Sequence, residues 1–184
     1  MPKIIVTEEQ WIQLGAERFA RGGPEALVIE SMSSELKCSK SSFYWYFTNR
    51  SAFIRRIVDD WIEKSTQKVI TASLEPTAAE EKLIELLCQM FAVTRKGDFL
   101  FYLRKLSAEE SVYHEMLDRM ERARMNFAKA LFMQIGLPEE AADHKAWFLY
   151  HYYLGWYERH KLHQLTEEDV LHHVTLLREH LIQL

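Results

Sequence analysis

Apolar residues recur along this chain at the spacing of helical faces, and glycine and proline interrupt the recurrence. A first helix is predicted to begin after Thr7, because Gln10 stands at the position that completes a capping box. Residues 29–36 repeat apolar side chains at helical spacing, which predicts a short second helix. Ser39 is a suitable N-cap for a short third helix over about residues 39–45.

A long fourth helix is predicted over about residues 50–74, and Pro76 ends it. Beyond this proline the helical period continues, with interruptions at Gly97 and Gly136. No segment alternates convincingly with the period that a strand needs. The pattern therefore predicts an all-α chain of about nine helices.

A chain of 184 residues can form one large domain or two small ones. We predict an N-terminal domain over residues 1–50, a connecting helix over about 50–74, and a second domain over 77–184. The two cysteines suit a reducing compartment, and the most apolar run is too short to cross a bilayer. These features indicate a cytoplasmic protein that does not enter a membrane, and we expect no cofactor and no metal.

The chain has a net charge of −4, yet the window from Lys37 to Val58 holds five basic residues and no acidic one. An aromatic run, Phe43 to Phe47, lies inside this window. Two short helices joined by a tight turn match a helix-turn-helix, whose second helix reads DNA. Such a helix needs short polar side chains for base edges, and basic or aromatic ones for phosphates.

The residues predicted to contact DNA are Lys40, Ser41, Ser42, Tyr44, Trp45, Tyr46 and Arg50. Phe43 and Phe47 are predicted to point into the core. Arg50 is included because it falls in the first turn of the long helix, where the helix dipole disfavours a cation but favours a bound phosphate.

Three segments, Phe19–Gly23, Ile29 with Met32, and above all Ser39–Arg50, together resemble the tetracycline-repressor (TetR) family of bacterial transcription regulators. The resemblance implies a DNA-binding helix-turn-helix domain, followed by a helical domain that binds a small molecule and dimerises. The chain departs from the family pattern in the turn, where Lys37 replaces the usual glycine. A left-handed backbone there would cost a lysine about 1–2 kcal/mol. It departs again at Leu27-Val28, where Ser or Thr usually opens the second helix.

The resemblance also implies a ligand pocket in the C-terminal domain, and aromatic residues are concentrated there. The predicted ligand-binding residues are Phe99, Tyr102, Trp147, Tyr150, His151 and Trp156. Ordinary core packing is the alternative for each of them. Arg104 or Arg124 could pair with an anionic ligand, but the sequence favours a solvated helix face for both.

The last two helices are expected to form the dimer as a four-helix bundle. The predicted interface residues are Tyr153, Leu154, Tyr157, Val170, Val174, Leu177 and Leu181. A monomer could instead bury the same stripe internally.

The function expected is a dimeric, ligand-responsive transcription regulator. We expect a repressor that binds a palindromic operator and is released by a small apolar or aromatic effector. One alternative is a protein-interaction module with a degenerate helix-turn-helix. A helical-bundle enzyme is another, but the sequence lacks a nucleotide-binding glycine loop and a nucleophile elbow.

Overall fold

The computed structural model describes residues 6–92, 97–161 and 165–182. The described residues form nine α-helices and no strand, so the prediction of an all-α chain is confirmed. The helices are α1 (Glu8–Gly22), α2 (Ile29–Glu35), α3 (Lys40–Tyr46), α4 (Arg50–Leu74), α5 (Ala79–Phe91), α6 (Phe99–Glu109), α7 (Ser111–Gln134), α8 (Glu139–His160) and α9 (Glu167–Leu177).

Polar side chains begin several of these helices, as the sequence predicts. Thr7 and Gln10 form the expected capping box at α1, and Thr166 forms a second one with Asp169 at α9. The Asn49 side-chain oxygen accepts a hydrogen bond from the backbone N–H of Ala52 at 2.8 Å, which caps α4. These bonds satisfy backbone donors that the first turn of a helix leaves without partners.

The chain divides into two compact units. The described residues of Met1–Lys64 and Lys96–Asp118 form the first unit, and those of Ser65–Arg95 and Arg119–Leu184 form the second. The first unit therefore includes α6, which we predicted as part of the C-terminal domain. The assignment of DNA binding to one domain and of ligand binding and dimerisation to the other stays a prediction.

Aromatic packing explains why α6 belongs to the first unit. The Phe99 ring lies 4.4 Å from the Phe19 ring, and it stacks on Trp61 at an interplanar angle of 7°. Tyr102 packs against Gly23, where an added Cβ would lie 2.5 Å from the Tyr102 Cδ1 atom. The Tyr102 hydroxyl also donates a hydrogen bond to the Arg21 carbonyl at 3.2 Å. These contacts bury one face of α6 against the end of α1.

The core of the first unit is aromatic and positions the helix-turn-helix. Phe43 is fully buried, with its ring 5.4 Å from Trp11 and 5.1 Å from Phe53. Phe47 is also buried, so the inward orientation predicted for both phenylalanines is confirmed. Gly15 lets α1 and α4 pack closely, because an added Cβ would lie 2.5 Å from Ile57 Cδ1. These contacts hold α3 to α1 and α4 through one side only.

The second unit has its own core, built from α5, α7, α8 and α9. Phe91 is fully buried near its centre, with ring centroids 5.8 Å from Tyr153, 4.9 Å from Trp156 and 4.8 Å from His173. Leu177 of α9 belongs to the same cluster. Each of the helices α5, α8 and α9 therefore already buries an apolar face within its own unit.

Candidate nucleic-acid interface and ligand cavity

The turn between α2 and α3 is closed by two backbone hydrogen bonds. The Cys38 N–H donates to the Ser33 carbonyl at 2.9 Å, and the Lys37 N–H donates to the Ser34 carbonyl at 3.2 Å. This is the Schellman pattern, which requires a left-handed residue just after the helix. Lys37 takes that conformation with φ 54°, although the sequence comparison had questioned the turn because Lys37 replaces the usual glycine. The turn thus keeps its expected geometry without glycine.

Four residues of α3 form an exposed surface, which we call the α3 outer face: Lys40, Ser41, Tyr44 and Trp45. Trp45 is 84% exposed and Tyr44 is 62% exposed, although both are large aromatic residues. The Tyr44 ring is braced edge-on against buried Phe43 at 5.2 Å. A protruding aromatic pair on a short helix leaves apolar area in water, which favours a surface that meets a partner.

Two of the predicted DNA contacts are engaged within the first unit. The Ser42 hydroxyl is half-buried and accepts a hydrogen bond from the Trp11 indole N–H at 3.4 Å. The half-buried Tyr46 donates its hydroxyl to the Val6 carbonyl at 3.0 Å. We therefore keep Ser42 and Tyr46 as residues that position α3, and leave them out of the α3 outer face.

The two basic residues predicted to meet DNA both have acidic neighbours. Lys40 forms an ion pair with Glu30 of α2. The Arg50 guanidinium donates to the Pro24 carbonyl and lies 3.9 Å from the Glu25 carboxylate. Exposed pairs of this kind are worth about 0–1 kcal/mol, so a phosphate can compete for either cation. Sequence inspection missed the two glutamates because folding, and not proximity along the chain, brings them close.

A cavity of about 640 Å³, counted to its open mouth, lies in the second unit between α4, α5, α7 and α8. Its apolar lining residues are Val69, Ile70, Leu86, Met90, Met125, Phe127, Ala128, Ala146, Leu149 and Tyr153. Its polar lining residues are Ser65, Thr66, Gln89, Arg124 and Tyr150. An apolar wall with a few polar side chains is the composition expected of a ligand site.

The polar lining residues are held by hydrogen bonds. The Arg124 side chain donates to the Ser65 hydroxyl at 3.0 Å and to the Thr66 hydroxyl at 3.3 Å. The Tyr150 hydroxyl donates to the Glu121 carboxylate at 3.2 Å, and the Gln89 amide donates to Glu85 at 2.7 Å. Hydrogen bonds therefore fix the positions of the polar side chains in the cavity wall.

Of the six predicted ligand-binding residues, the structure places Tyr150 alone in the lining of this cavity. Phe99 and Tyr102 lie in the first unit, and Trp156 packs in the core of the second. Trp147 and His151 are exposed on α8, with their rings stacked 4.1 Å apart. Sequence reasoning named Arg124 as a possible partner for an anion, but it missed the aliphatic and methionine lining because such residues are common in any core.

The predicted dimer residues are largely buried within the chain. Tyr153, Tyr157, Val174 and Leu177 belong to the core of the second unit, and Leu154, Val170 and Leu181 pack against it. They can therefore contribute little surface to a partner. The apolar surface that α8 leaves exposed, which we call the α8 outer face, consists of Trp147, Phe148, His151, Tyr152 and Gly155. On α9 the exposed apolar residues are Leu171 and Leu176.

The described residues contain no helix that is long and apolar enough to span a membrane. No protein-family model and no curated protein matches the chain.

Solved structures with the same architecture identify the class of fold. A TetR transcriptional regulator from Legionella pneumophila has a TM-score of 0.77 and 12% identity, covering 98% of this chain and 100% of its own. A TetR-family transcriptional regulator from Streptomyces coelicolor has a TM-score of 0.74 and 15% identity, covering 95% of both chains. The transcriptional regulator FadR from Bacillus subtilis, solved with stearoyl-CoA, has a TM-score of 0.67 and 14% identity, covering 96% of this chain and 98% of its own.

These likenesses span nearly the whole chain. The protein has the all-α fold of the TetR-family transcriptional regulators, and the fold that the sequence resemblance implies is confirmed.

Proposed function

We propose that this protein is a DNA-binding transcriptional regulator that responds to a small molecule. The observation that carries the proposal is the α3 outer face, an exposed polar and aromatic surface on the second helix of a helix-turn-helix. Its aromatic residues are exposed while the opposite side of α3 is tied to α1 and α4. Because its inner side is fixed against α1 and α4, α3 can present its exposed side to a major groove without a change in the packing of these helices.

Each residue of the α3 outer face has a role that its chemistry supports. Ser41 has a short polar side chain, which lets α3 come close enough for the hydroxyl to contact base edges. Lys40 can exchange its Glu30 partner for a phosphate, and Tyr44 and Trp45 can pack on sugar and phosphate groups or on thymine methyl groups. Arg50 can add a phosphate contact at the N-terminus of α4, where the helix dipole favours an anion.

The test is an electrophoretic mobility shift on the promoter adjacent to the gene, backed by selection of bound DNA from random sequence. Tyr44→Ala should reduce specific affinity by about 1–3 kcal/mol if the ring contacts a base. Phe101→Ala is the matched control, because Phe101 is a similarly exposed aromatic on α6 of the same unit. Equal affinity of the Tyr44→Ala variant and the wild type would remove the α3 outer face from the binding site.

The contribution of the Lys40 charge is tested separately, by measuring how DNA affinity depends on salt concentration. Lys40→Ala should lower the slope of log K against log salt by about one, because one phosphate contact is lost. Lys105→Ala, an equally simple loss of charge at an exposed position of α6, should leave the slope unchanged. A slope that is the same in both variants would place Lys40 outside the phosphate contacts.

We further propose that the protein is a homodimer that binds a palindromic operator. The α8 outer face and the exposed leucines of α9 provide apolar area on neighbouring helices of one unit, which a second copy can cover as a four-helix bundle. Half-site centres should then lie ~34 Å apart or somewhat more. Phe148→Glu should shift the protein to monomer in sedimentation analysis, whereas Phe101→Glu should not. A Phe148→Glu variant that stays dimeric would locate the interface elsewhere.

The cavity of the second unit is the proposed effector site, and release of DNA on effector binding would make the protein a repressor. DNA and effector must then weaken each other by the same factor at equilibrium. Tighter operator binding with effector present would indicate activation or co-repression instead.

A second candidate is an interaction module that has lost DNA binding. It is favoured by the carboxylates beside Lys40 and Arg50, which reduce the positive charge offered to a duplex. No salt-dependent binding to any selected DNA, together with an intact fold, would support this candidate.

A further inference from the structure

The polar side chains that line the cavity of the second unit are already bound to other protein groups. Arg124 donates to the hydroxyls of Ser65 and Thr66, and the Tyr150 hydroxyl donates to Glu121. Arg124, Tyr150 and Ser65 take part in further interactions as well. A ligand group that binds any of these side chains has to replace a protein partner, and the loss of that partner offsets much of the hydrogen-bond energy gained.

Both signs of charge are present at this part of the cavity wall. The Arg124 guanidinium is positive, and the Glu121 carboxylate, which accepts the hydroxyl of the lining residue Tyr150 at 3.2 Å, is negative. Glu121 and Arg124 are three residues apart on α7, and residues at this spacing are neighbours on a helix surface. A charged ligand group that approached this wall would be attracted by one of the two side chains and repelled by the other. The wall therefore favours neither an anion nor a cation.

The rest of the wall is apolar and adaptable. Helix α4 contributes Val69 and Ile70, and α7 contributes Phe127. Met90 and Met125 add two flexible, polarizable side chains, which adjust to ligands of different shape. Removing the apolar surface of a ligand from water against such a wall favours binding, whereas burying an ion without a matching charge is strongly unfavourable.

We propose that the cavity binds an uncharged organic molecule with an apolar body, and that it selects against anions and cations of the same shape. The apolar body of the ligand packs on Val69, Ile70 and Phe127, while the polar lining residues keep their protein partners. The inference names a ligand class for the proposed effector site. It rests on that proposal only for its regulatory meaning, because binding can be tested on protein without DNA.

The first experiment is calorimetric titration of DNA-free protein at neutral pH with octanol, octanoate and octylamine. The three probes share a chain, and at this pH octanoate is an anion and octylamine a cation. Octanol should bind at least about 10-fold more tightly than either ion, since burial penalises a charged group far more than a hydroxyl. Naphthalene carrying a hydroxyl, a carboxylate or an aminomethyl group should give the same order with a flat body. An ion that binds as tightly as the alcohol, or no binding by any probe, would overturn the proposal.

Charge variants of α7 test whether the two opposite charges cause the selectivity. Glu121→Gln removes the carboxylate beside the guanidinium and should raise octanoate affinity relative to octanol about 10-fold. Arg124→Gln should raise octylamine affinity relative to octanol by a similar factor. Arg122→Gln is the matched control, because it removes a charge from an exposed position between the two. If both folded variants kept the wild-type order of affinities, the proposed origin of the selectivity would be refuted.

The glutamine variants keep polar groups that can replace the lost hydrogen bonds, and circular dichroism with thermal unfolding checks that each variant folds. Tyr150→Phe provides a further test, because it removes the hydroxyl and keeps the ring. Octanol affinity should be nearly unchanged, since that hydroxyl is bound to Glu121 and is not needed by the ligand. A large loss of octanol affinity in the folded Tyr150→Phe variant would contradict this part of the proposal.

Nuclear magnetic resonance of isotope-labelled methionine methyl groups locates the ligand in the wild-type protein. Met90 and Met125 line the cavity, so their signals should shift when octanol is added. Met133 is exposed on the same helix as Met125 and is the matched control, whose signal should stay unchanged. Unchanged Met90 and Met125 signals at saturating octanol would place the ligand outside the cavity and overturn the proposal.

Operator binding separates this inference from the proposed function. If octanol binds in the cavity but does not change operator affinity, the site stands and the effector role fails. If the protein binds its operator and takes octanoate or octylamine as tightly as octanol, the regulator stands and the ligand class is wrong.

Discussion

Replacing Lys37 by glycine tests the backbone of the turn that presents the α3 outer face. Lys37 has φ 54°, in the left-handed region, and its side chain is exposed. The conformation is imposed by the Schellman hydrogen bonds that Cys38 and Lys37 donate to the end of α2. A substitution here can therefore relieve backbone strain without removing a buried contact.

The expected gain is a difference of two terms. The left-handed conformation costs a residue with a Cβ about 1–2 kcal/mol, and glycine escapes this cost. Glycine in turn gives the unfolded chain more freedom, which costs about 0.4–1 kcal/mol. Lys37→Gly should therefore raise the free energy of unfolding by about 0.5–1 kcal/mol. For a chain of this size the midpoint of thermal unfolding should increase by about 1–4 °C.

The assay is urea and thermal unfolding at a fixed protein concentration, because a dimer makes the midpoint depend on concentration. Lys37→Ala is the matched control: it removes the lysine side chain but keeps the Cβ and its strain, and should stay within about 0.5 kcal/mol of the wild type. The reasoning is refuted if Lys37→Ala stabilises as much as Lys37→Gly, because the gain would then come from the side chain. A destabilised Lys37→Gly variant would refute it equally.

Two other changes probe packing and protonation. Gly15→Ala should destabilise by about 1–3 kcal/mol in urea unfolding, because its Cβ would lie 2.5 Å from Ile57 Cδ1; no loss would show that α1 and α4 separate easily. Burial lowers the pKa of His173, and charges on His160 and His172 lower it further. As the pH falls, His173 is therefore protonated in the unfolded state before it is protonated in the folded state. Its contribution to stability is retained above the unfolded pKa of about 6.5 and is lost as the pH falls below that value. His173→Phe should flatten this acid limb in thermal unfolding from neutral to mildly acidic pH, and an unchanged limb would assign it to other groups.

Much of the local structure follows from the sequence alone. The helices, the capping boxes and the inward orientation of Phe43 and Phe47 could be predicted, because each depends on residues close together in the chain. Short-range hydrogen bonds and helical period carry this information directly. The family pattern identified Lys37 as the residue that replaces a turn glycine, but its left-handed conformation is seen only in the structure.

The partners of each helix were decided by tertiary structure. Helix α6 is apolar enough for either unit, and only the packing of Phe99 on Phe19 and Trp61 places it in the first. Likewise, the pairing of glutamates with Lys40 and Arg50 is seen only in the folded structure, because these residues are far apart in the sequence.

Helix α8 shows most clearly what the sequence determined and what it left to the fold. Apolar residues surround the helix: Leu149 and Tyr153 are buried while Phe148 and Tyr152 are exposed. The sequence determined that α8 is a helix and that it is rich in aromatic residues. Periodicity identifies an inner face only when polar residues mark the outer one, and α8 has apolar residues on both. Which residues of α8 line the cavity, pack in the core or remain exposed therefore depends on the neighbouring helices. The positions of those helices are not encoded in any local sequence pattern.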